Sequence, residues 1–346
     1  MSTLISCCMR IGFCRIRFLQ GCRYSSQPKQ ESKQRLGKIV SVAIIGAPNS
    51  GKSTLINKVV ERKICAASNK VHTTTKLIRA MCYHNETQII FLDTPGIVTD
   101  REQQKYKLPD SMLQACKKSL KCANVVGVVH DVSNRWTKDG LHPDVVNMLN
   151  MVEHVPSFLL LNKVDKVKSK KSLLDTIKNL TNGSIAGNPI PGTHKKIMQQ
   201  RGYSKFSDVF LISALKGDGI NDIKDYLTNN AKMANFHYSP EEWSDQTSEV
   251  LIEEAVRAKF LDFLSQEIPY GLKPRLEYFE EIAEEDKIIC SVSVECPSER
   301  LLRLVGGAGG GRLQQIKSHI RNDLIDLFKK TVVIDLYLKV KNKPDT

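Results

Sequence analysis

At 346 residues, with 41% hydrophobic and 25% charged side chains, the chain has the length of about two globular domains, and its composition excludes wholesale disorder. No apolar run approaches the roughly 18 residues of a membrane-spanning helix. A formal charge of +14, from 51 basic and 37 acidic residues, favours a polyanionic partner, nucleic acid before an anionic membrane. Residues 1–30 carry five basic side chains (Arg10, Arg15, Arg17, Arg23 and Lys29) and no acid, interleaved with Leu, Ile, Phe and Ser. This composition fits a mitochondrial targeting segment better than a secretory signal, whose apolar core the arginines would interrupt. Arg23-Tyr24-Ser25-Ser26 resembles a matrix-processing site, with cleavage after Tyr24; the competing reading is a disordered basic arm that binds RNA. Four of the ten cysteines lie in this segment. The other six (Cys65, Cys82, Cys116, Cys122, Cys290, Cys296) form no C-x-x-C pair and have no histidine at zinc-ligand spacing, so they read as inert thiols in a reduced compartment.

The apolar, β-branched run 39–45 predicts a buried strand, and residues 54–60 predict a helix. Between them stand Gly46-Ala47-Pro48-Asn49-Ser50-Gly51-Lys52-Ser53, followed by Thr54, the G-x-x-x-x-G-K-S pattern in strand–loop–helix context. Glycines let backbone N–H groups curl around phosphates, and the helix N-terminus adds its positive end. Lys52 can reach the β and γ oxygens, and the Ser53 hydroxyl can ligate Mg²⁺. Thr73, Thr74 and Thr75 follow in a polar segment from which one hydroxyl could reach the same ion. The strand Ile89–Leu92 runs into Asp93-Thr94-Pro95-Gly96. There Asp93 can hold Mg²⁺ through water and the Gly96 N–H can meet the γ-phosphate. Val125–Val129 precedes Asp131, and Phe158–Leu161 delivers Asn162-Lys163-Val164-Asp165. The Asp165 carboxylate can accept from guanine N1–H and N2–H₂; adenine has no such donor pair and would leave the carboxylate unpaired. After Val209–Ile212 come Ser213-Ala214-Leu215, where a backbone N–H can meet the guanine oxygen. The nucleotide is therefore GTP rather than ATP.

Strands alternate with helical segments over 38–235, which predicts an α/β fold with a doubly wound, mostly parallel sheet and ligands at the strand carboxyl ends. Residues 182–207, rich in Gly, Pro, Ser and Lys, read as a surface insertion, and 236–247 as a linker. A helix is expected over 248–266 with Ser248 as N-cap, then strands near 276–282 and 288–294. A glycine run within Leu301–Arg312, a helix over 313–328 and a strand over 332–340 complete the chain. Residues 249–299 hold thirteen acids and five bases, and residues 300–346 ten bases and four acids. That split suggests one face kept for phosphate.

These motifs resemble the translation-factor-related GTPases, and Era specifically. Pro48–Asn57 matches Era's P-N-x-G-K-S-T-L-x-N, Thr73-Thr74 its switch threonines, Asp93–Gly96 its D-T-P-G, and Arg135-Trp136-Thr137 its R-W-T. The resemblance implies a P-loop GTPase domain followed by a type II KH domain, an α+β unit of α-β-β-α-α-β order that clamps single-stranded RNA with a G-x-x-G turn. Lys52, Thr74 and Gly96 would then be the catalytic groups, with Mg²⁺ held by Ser53, Thr74 and Asp93. A loop asparagine binds potassium in some related GTPases, which makes Asn49 the K⁺ candidate. Ile97 stands where Ras-like enzymes place a catalytic Gln, so intrinsic hydrolysis should be slow. Both Gly306–Gly309 and Gly307–Gly310 satisfy G-x-x-G, the downstream helix favouring the second. Neither has a basic residue at Ala308 or elsewhere between its glycines, so phosphate contact falls to backbone N–H groups, Arg312 and Lys317. By the same resemblance the partners are GTP and GDP, small-subunit ribosomal RNA and the small mitochondrial ribosomal subunit. The place is the mitochondrial matrix, with peripheral contact to the inner membrane open and no membrane span. The alternative is an RNA chaperone or scaffold whose nucleotide site is structural.

Overall fold

The computed structural model describes residues 35–68, 77–94, 119–191, 201–265 and 268–340. The expected targeting segment, Thr73–Thr75, Pro95–Ile97 and Cys116 lie outside these residues.

The first domain is built from β1 (Leu36–Ile45), α1 (Lys52–Val60), β2 (Ile78–His84), β3 (Thr87–Asp93), β4 (Val125–Asp131), α2 (Pro143–Met151), β5 (Ser157–Asn162), α3 (Lys170–Leu180), β6 (Ser184–Ile185), β7 (Asn188–Pro189), β8 (Phe206–Ile212), α4 (Ile220–Asn229) and β9 (Lys232–Asn235). The main sheet has the order β2-β3-β1-β4-β5-β8; β2 is antiparallel to β3 and the remaining neighbours on this path are parallel. Helices cover both faces, which is why β3 and β5 are buried along their whole length and read as continuous apolar runs. Leu55, Ile56 and Val59 of α1 pack with Ile220 and Ile223 of α4 on one face, and α2 and α3 supply Val145, Leu149, Leu173 and Leu180 on the other. Register aligns the strand ends. Ile44 pairs with Asp93, Ile45 with Val128, Asp131 with Asn162, and Asn162 with Ile212. The loops carrying the sequence motifs therefore leave the sheet in one row at its carboxyl edge.

The second domain comprises α5 (Ser248–Phe263), β10 (Lys273–Ile282), β11 (Lys287–Cys296), α6 (Glu299–Gly306), α7 (Gly311–Phe328) and β12 (Thr331–Val340). Its sheet runs β10-β11-β12, antiparallel then parallel. Ile252, Val256 and Phe260 of α5 and Ile316, Ile320 and Leu324 of α7 pack with Val292 and Val294 of β11 and Val332 of β12. This α-β-β-α-α-β unit is the type II KH arrangement.

Several expectations need correction. The first strand begins at Leu36, two residues before the expected domain start. The expected insertion 182–207 contains a β6–β7 hairpin, and its end is structural: Tyr203 and Phe206 are buried, and the Tyr203 N–H donates to the Leu180 carbonyl at 2.8 Å. Nor is 236–247 a free linker. The short β9 pairs antiparallel with β1, and the chain then crosses the sheet edge. The Tyr238 carbonyl accepts from the Tyr83 hydroxyl at 2.9 Å, Met81 N–H donates to the Trp243 carbonyl at 3.0 Å, and Asp245 binds the Arg79 guanidinium at 3.0 Å. α5 is capped by Thr247, whose hydroxyl accepts from Val250 N–H, and not by Ser248, its first helical residue. Finally, the acidic and basic halves of the last hundred residues partly neutralise each other. Lys330 pairs with Glu281 at 2.8 Å and Lys339 with Glu277 at 3.0 Å.

Candidate functional site

The P-loop turns sharply between β1 and α1. Gly46 and Gly51 both have positive φ, 155° and 99°, and both are closely approached. A Cβ on Gly51 would lie 2.2 Å from Asn162 Nδ2, and one on Gly46 would lie 2.3 Å from the Val129 carbonyl oxygen, so neither position admits a side chain. No side chain caps α1, which leaves its first N–H groups to an anion. Lys52 is buried at the base of the loop, its ammonium donating to the Gly46 and Ala47 carbonyls, each at 3.1 Å. Ser50 Oγ is buried without a hydrogen bond among the described residues. Ser53 Oγ donates to Asp93 Oδ2 at 3.0 Å. A hydroxyl at the start of α1 and a carboxylate at the end of β3 thus converge, the hard oxygen donors that Mg²⁺ takes. No cluster of three or more His, Cys, Asp or Glu suited to a metal occurs among the described residues. Mg²⁺ bound beside phosphates needs only one or two carboxylates. The Thr94 hydroxyl is buried and donates to the Ile44 carbonyl at 2.7 Å, so it braces the strand end instead of facing a ligand.

At the other end of the row, Asn162 joins three loops. Its Nδ2 donates to the Ser50 carbonyl at 2.8 Å, and its Oδ1 accepts from Lys163 N–H at 2.8 Å and Ala214 N–H at 3.0 Å. Asn162 therefore holds loops together with its amide. Asp165 Oδ1 accepts from Ser213 Oγ at 2.7 Å, which fixes the carboxylate next to Ala214 and the exposed Leu215. Lys163 adopts a left-handed φ of 68° and donates from Nζ to the Asn49 carbonyl at 2.8 Å and to Asp131 Oδ2 at 2.6 Å. Asp131 belongs to none of the sequence motifs. Its only signal is its register with Asn162, which requires the sheet to be known. Burial opposes ionisation of Asp131, but hydrogen bonds from Lys163 and Ser133 outweigh it and hold the carboxyl below its usual range. Burial, reinforced by the nearby Asp93 carboxylate, pushes the Cys65 thiol well up, which keeps it protonated and inert.

In the second domain, α6 ends at Gly306 with Gly307 as its C-cap, and α7 begins at Gly311. The inter-helix turn is thus Gly307–Gly310. Gly307, Gly309 and Gly310 have φ of 73°, 58° and 74°, a left-handed path that suits glycine. The two expected basic neighbours are already engaged. Arg312 donates from Nη1 to the Leu304 carbonyl at 2.9 Å, tying the start of α7 to the end of α6. Lys317 is paired with the exposed Asp335, an arrangement worth at most about 1 kcal/mol that a phosphate could displace.

A phosphate-binding loop, a convergent hydroxyl–carboxylate pair and a base-side carboxylate on one sheet edge, followed by a KH unit, define a P-loop GTPase with a C-terminal KH domain. The family described as 50S ribosome-binding GTPase matches residues 41–163. The mitochondrial GTPase Era of Danio rerio is 31% identical over 354 residues, covering 92% of this chain and 79% of the relative. GTPase Era of Sinorhizobium medicae is 30% identical over 303 residues, covering 87% of each chain. The crystal structure of Era in complex with MgGDPNP and nucleotides 1506–1542 of 16S ribosomal RNA matches with a TM-score of 0.71 at 26% identity, over 89% of this chain and 95% of that one. An Aquifex aeolicus Era variant bound to GDP·AlF₄⁻ matches with the same TM-score. The chain belongs to the Era family of GTPases.

Proposed function

We propose that this protein hydrolyses GTP in the mitochondrial matrix, binds small-subunit ribosomal RNA and assists assembly of the small mitochondrial ribosomal subunit. The observation that carries the nucleotide half is the Asn162 side chain, which ties the phosphate loop at Ser50 to the base-side loops at Lys163 and Ala214. Those loops carry Lys52 at one end and Asp165 at the other, so a guanosine triphosphate would be gripped at both ends. In this reading the backbone of Gly46–Thr54 wraps the phosphates and Lys52 balances their β and γ charge. The Ser53 hydroxyl would hold Mg²⁺ and Asp93 would do so through water, and the bound ion would supply charge neutralisation at the phosphate oxygens. Asp165 selects guanine; Thr74 and Gly96 fasten their loops to the γ end. Ile97 offers no hydrogen bond to water, so unassisted turnover is slow.

The RNA half is supported by the α6–α7 glycine turn and by the likeness to Era held with 16S RNA. The mitochondrial place is supported by the matching mitochondrial Era proteins and the acid-free N-terminal segment. GTP and GDP would then set two orientations or affinities of the KH domain. Filter binding of a single-stranded RNA from the 3′ end of the small-subunit rRNA, with a non-hydrolysable GTP analogue, GDP or no nucleotide, tests this. Affinity should be highest with the GTP analogue. Equal affinity in all three states removes the switch, and absence of multiple turnover alongside RNA binding favours the scaffold reading. If Asn49 holds K⁺, turnover falls when K⁺ is replaced by Na⁺ in the hydrolysis assay; an unchanged rate rules potassium out.

A further inference from the structure

Trp136 is 90% exposed, whereas Trp243, the other tryptophan, packs against Phe328 with ring centroids 6.0 Å apart. The turn that displays Trp136 is held in shape by Asn134, whose Oδ1 accepts from Trp136 N–H at 3.1 Å and whose carbonyl accepts from Thr137 N–H at 3.2 Å and Lys138 N–H at 2.9 Å. It is also anchored to the sheet, since Ser133 N–H and Oγ both donate to Asp131 Oδ1, at 2.8 and 2.6 Å. Leaving a large ring in water without a packed neighbour has no folding rationale, and fixing it on a braced turn lowers the entropy lost when something binds it.

Trp136 lines a cavity of about 790 Å³ that also takes in Pro48, Asn49 and Asp131. The cavity shares Ala47–Ser50 with the phosphate loop, whereas Lys52, Ser53, Asp93, Asn162 and Asp165 do not line it. Its rim carries hydrogen-bonding groups (Asn134, Thr137, His142, Arg201) over a floor that includes the buried Leu141 and Val145. Arg135 and Arg201 are exposed, and Lys138 stands 3.8 Å from Asp139. Of the acids present, Asp131 is paired with Lys163, and Asp139 accepts from the Thr176 hydroxyl at 3.0 Å. An isolated aromatic ring among cations, above a cleft with apolar floor and polar rim, matches a nucleobase, which has apolar faces, hydrogen-bonding edges and flanking phosphates.

We propose that the Trp136 turn and the cavity beneath it form a second RNA contact, on the GTPase domain. Trp136 stacks on an unpaired base, and Arg135, Lys138 and Arg201 meet its flanking phosphates. The site rests on the RNA-binding reading above and extends it to a surface outside the KH domain. It also abuts Pro48, Asn49 and Asp131, so a seated base would lie against the groups that position Lys163.

The test uses the full chain and a single-stranded RNA from the 3′ end of the small-subunit rRNA carrying 5-bromouridine. Irradiation should crosslink Trp136, as mapped by peptide mass spectrometry. Trp136→Ala should weaken binding roughly tenfold with the salt dependence unchanged, and Trp136→Phe should restore most of it. Arg135→Ala should instead reduce the slope of log affinity against log salt by about 0.7. Unchanged thermal unfolding of the variants excludes misfolding as the cause. Crosslinks confined to the α6–α7 turn, with Trp136→Ala binding as well as wild type, overturn the second contact and leave the KH reading standing. If Trp136→Ala loses a protein partner while its RNA affinity holds, the turn is a protein-docking site and the proposal fails. If the unaltered protein does not bind the RNA at all, both readings fall.

Discussion

Lys163 is held by two groups of different kinds, the Asn49 carbonyl and the Asp131 carboxylate. Removing the carboxylate's charge should loosen the lysine and, through it, the phosphate loop. Asp131→Asn is expected to speed GDP release several-fold, read from the dissociation of a fluorescent GDP, with less change in the rate of a single turnover. The same substitution carries a pH signature. The folded-state pKa of Asp131 lies below its usual value of 3.8, so its stabilisation is complete above that value and is lost as pH falls through the lower folded pKa. Acid unfolding followed by circular dichroism should therefore separate wild type from Asp131→Asn near neutrality and bring them together at the acid end. A gap that persists unchanged in strong acid would mean the carboxylate's charge is not the cause.

Elements differ in how openly the sequence declares them. The central strands were legible because burial on both faces makes them uninterrupted runs such as Phe158–Leu161, and the phosphate loop was legible because its glycines and lysine are demanded by local chemistry. By contrast, β9 reads Lys-Met-Ala-Asn and is mostly exposed, and its partner on β1 lies nearly two hundred residues upstream. No pattern within the element reveals that pairing. The segment after it looked like a linker for the same reason. Its hold on the sheet comes from backbone groups and from Asp245, which meets the Arg79 N–H and guanidinium at 3.0 Å each. The pair is exposed to water, which holds its contribution to about 1 kcal/mol. Asp245→Ala should accordingly fray the β2 edge, raising amide hydrogen exchange at Arg79 and Met81 several-fold. Exchange confined to global unfolding in both proteins would show that the edge is held by other contacts.

Across the molecule, the two domains meet through the residues just after α1. Lys63 Nζ contacts Asp323 Oδ1 of α7 at 2.5 Å, and Lys259 of α5 binds the other carboxylate oxygen at 2.9 Å. Arg62 donates to the Leu327 carbonyl at 3.0 Å and lies 5.3 Å from the Trp243 ring, which in turn packs on Phe328. As a sequence, Arg62-Lys63 is an ordinary surface pair, and only the fold reveals it as a joint. Asp323 is buried between two ammonium groups, so the two truncations should differ. Asp323→Ala leaves Lys63 and Lys259 facing each other and is expected to cost about 3–5 kcal/mol. Lys63→Ala leaves Asp323 with Lys259 and should cost clearly less. Denaturant unfolding of the single and double variants checks the order, and equal losses would contradict it.

The shared amide of Asn162 has one more consequence. Because a single side chain ties the loop at Ser50 to those at Lys163 and Ala214, a nucleotide bound as proposed would be gripped as a chelate. Guanosine and inorganic triphosphate offered as separate molecules would each meet a half-formed pocket, and much of the nucleotide's affinity would reside in the covalent link that delivers the two together.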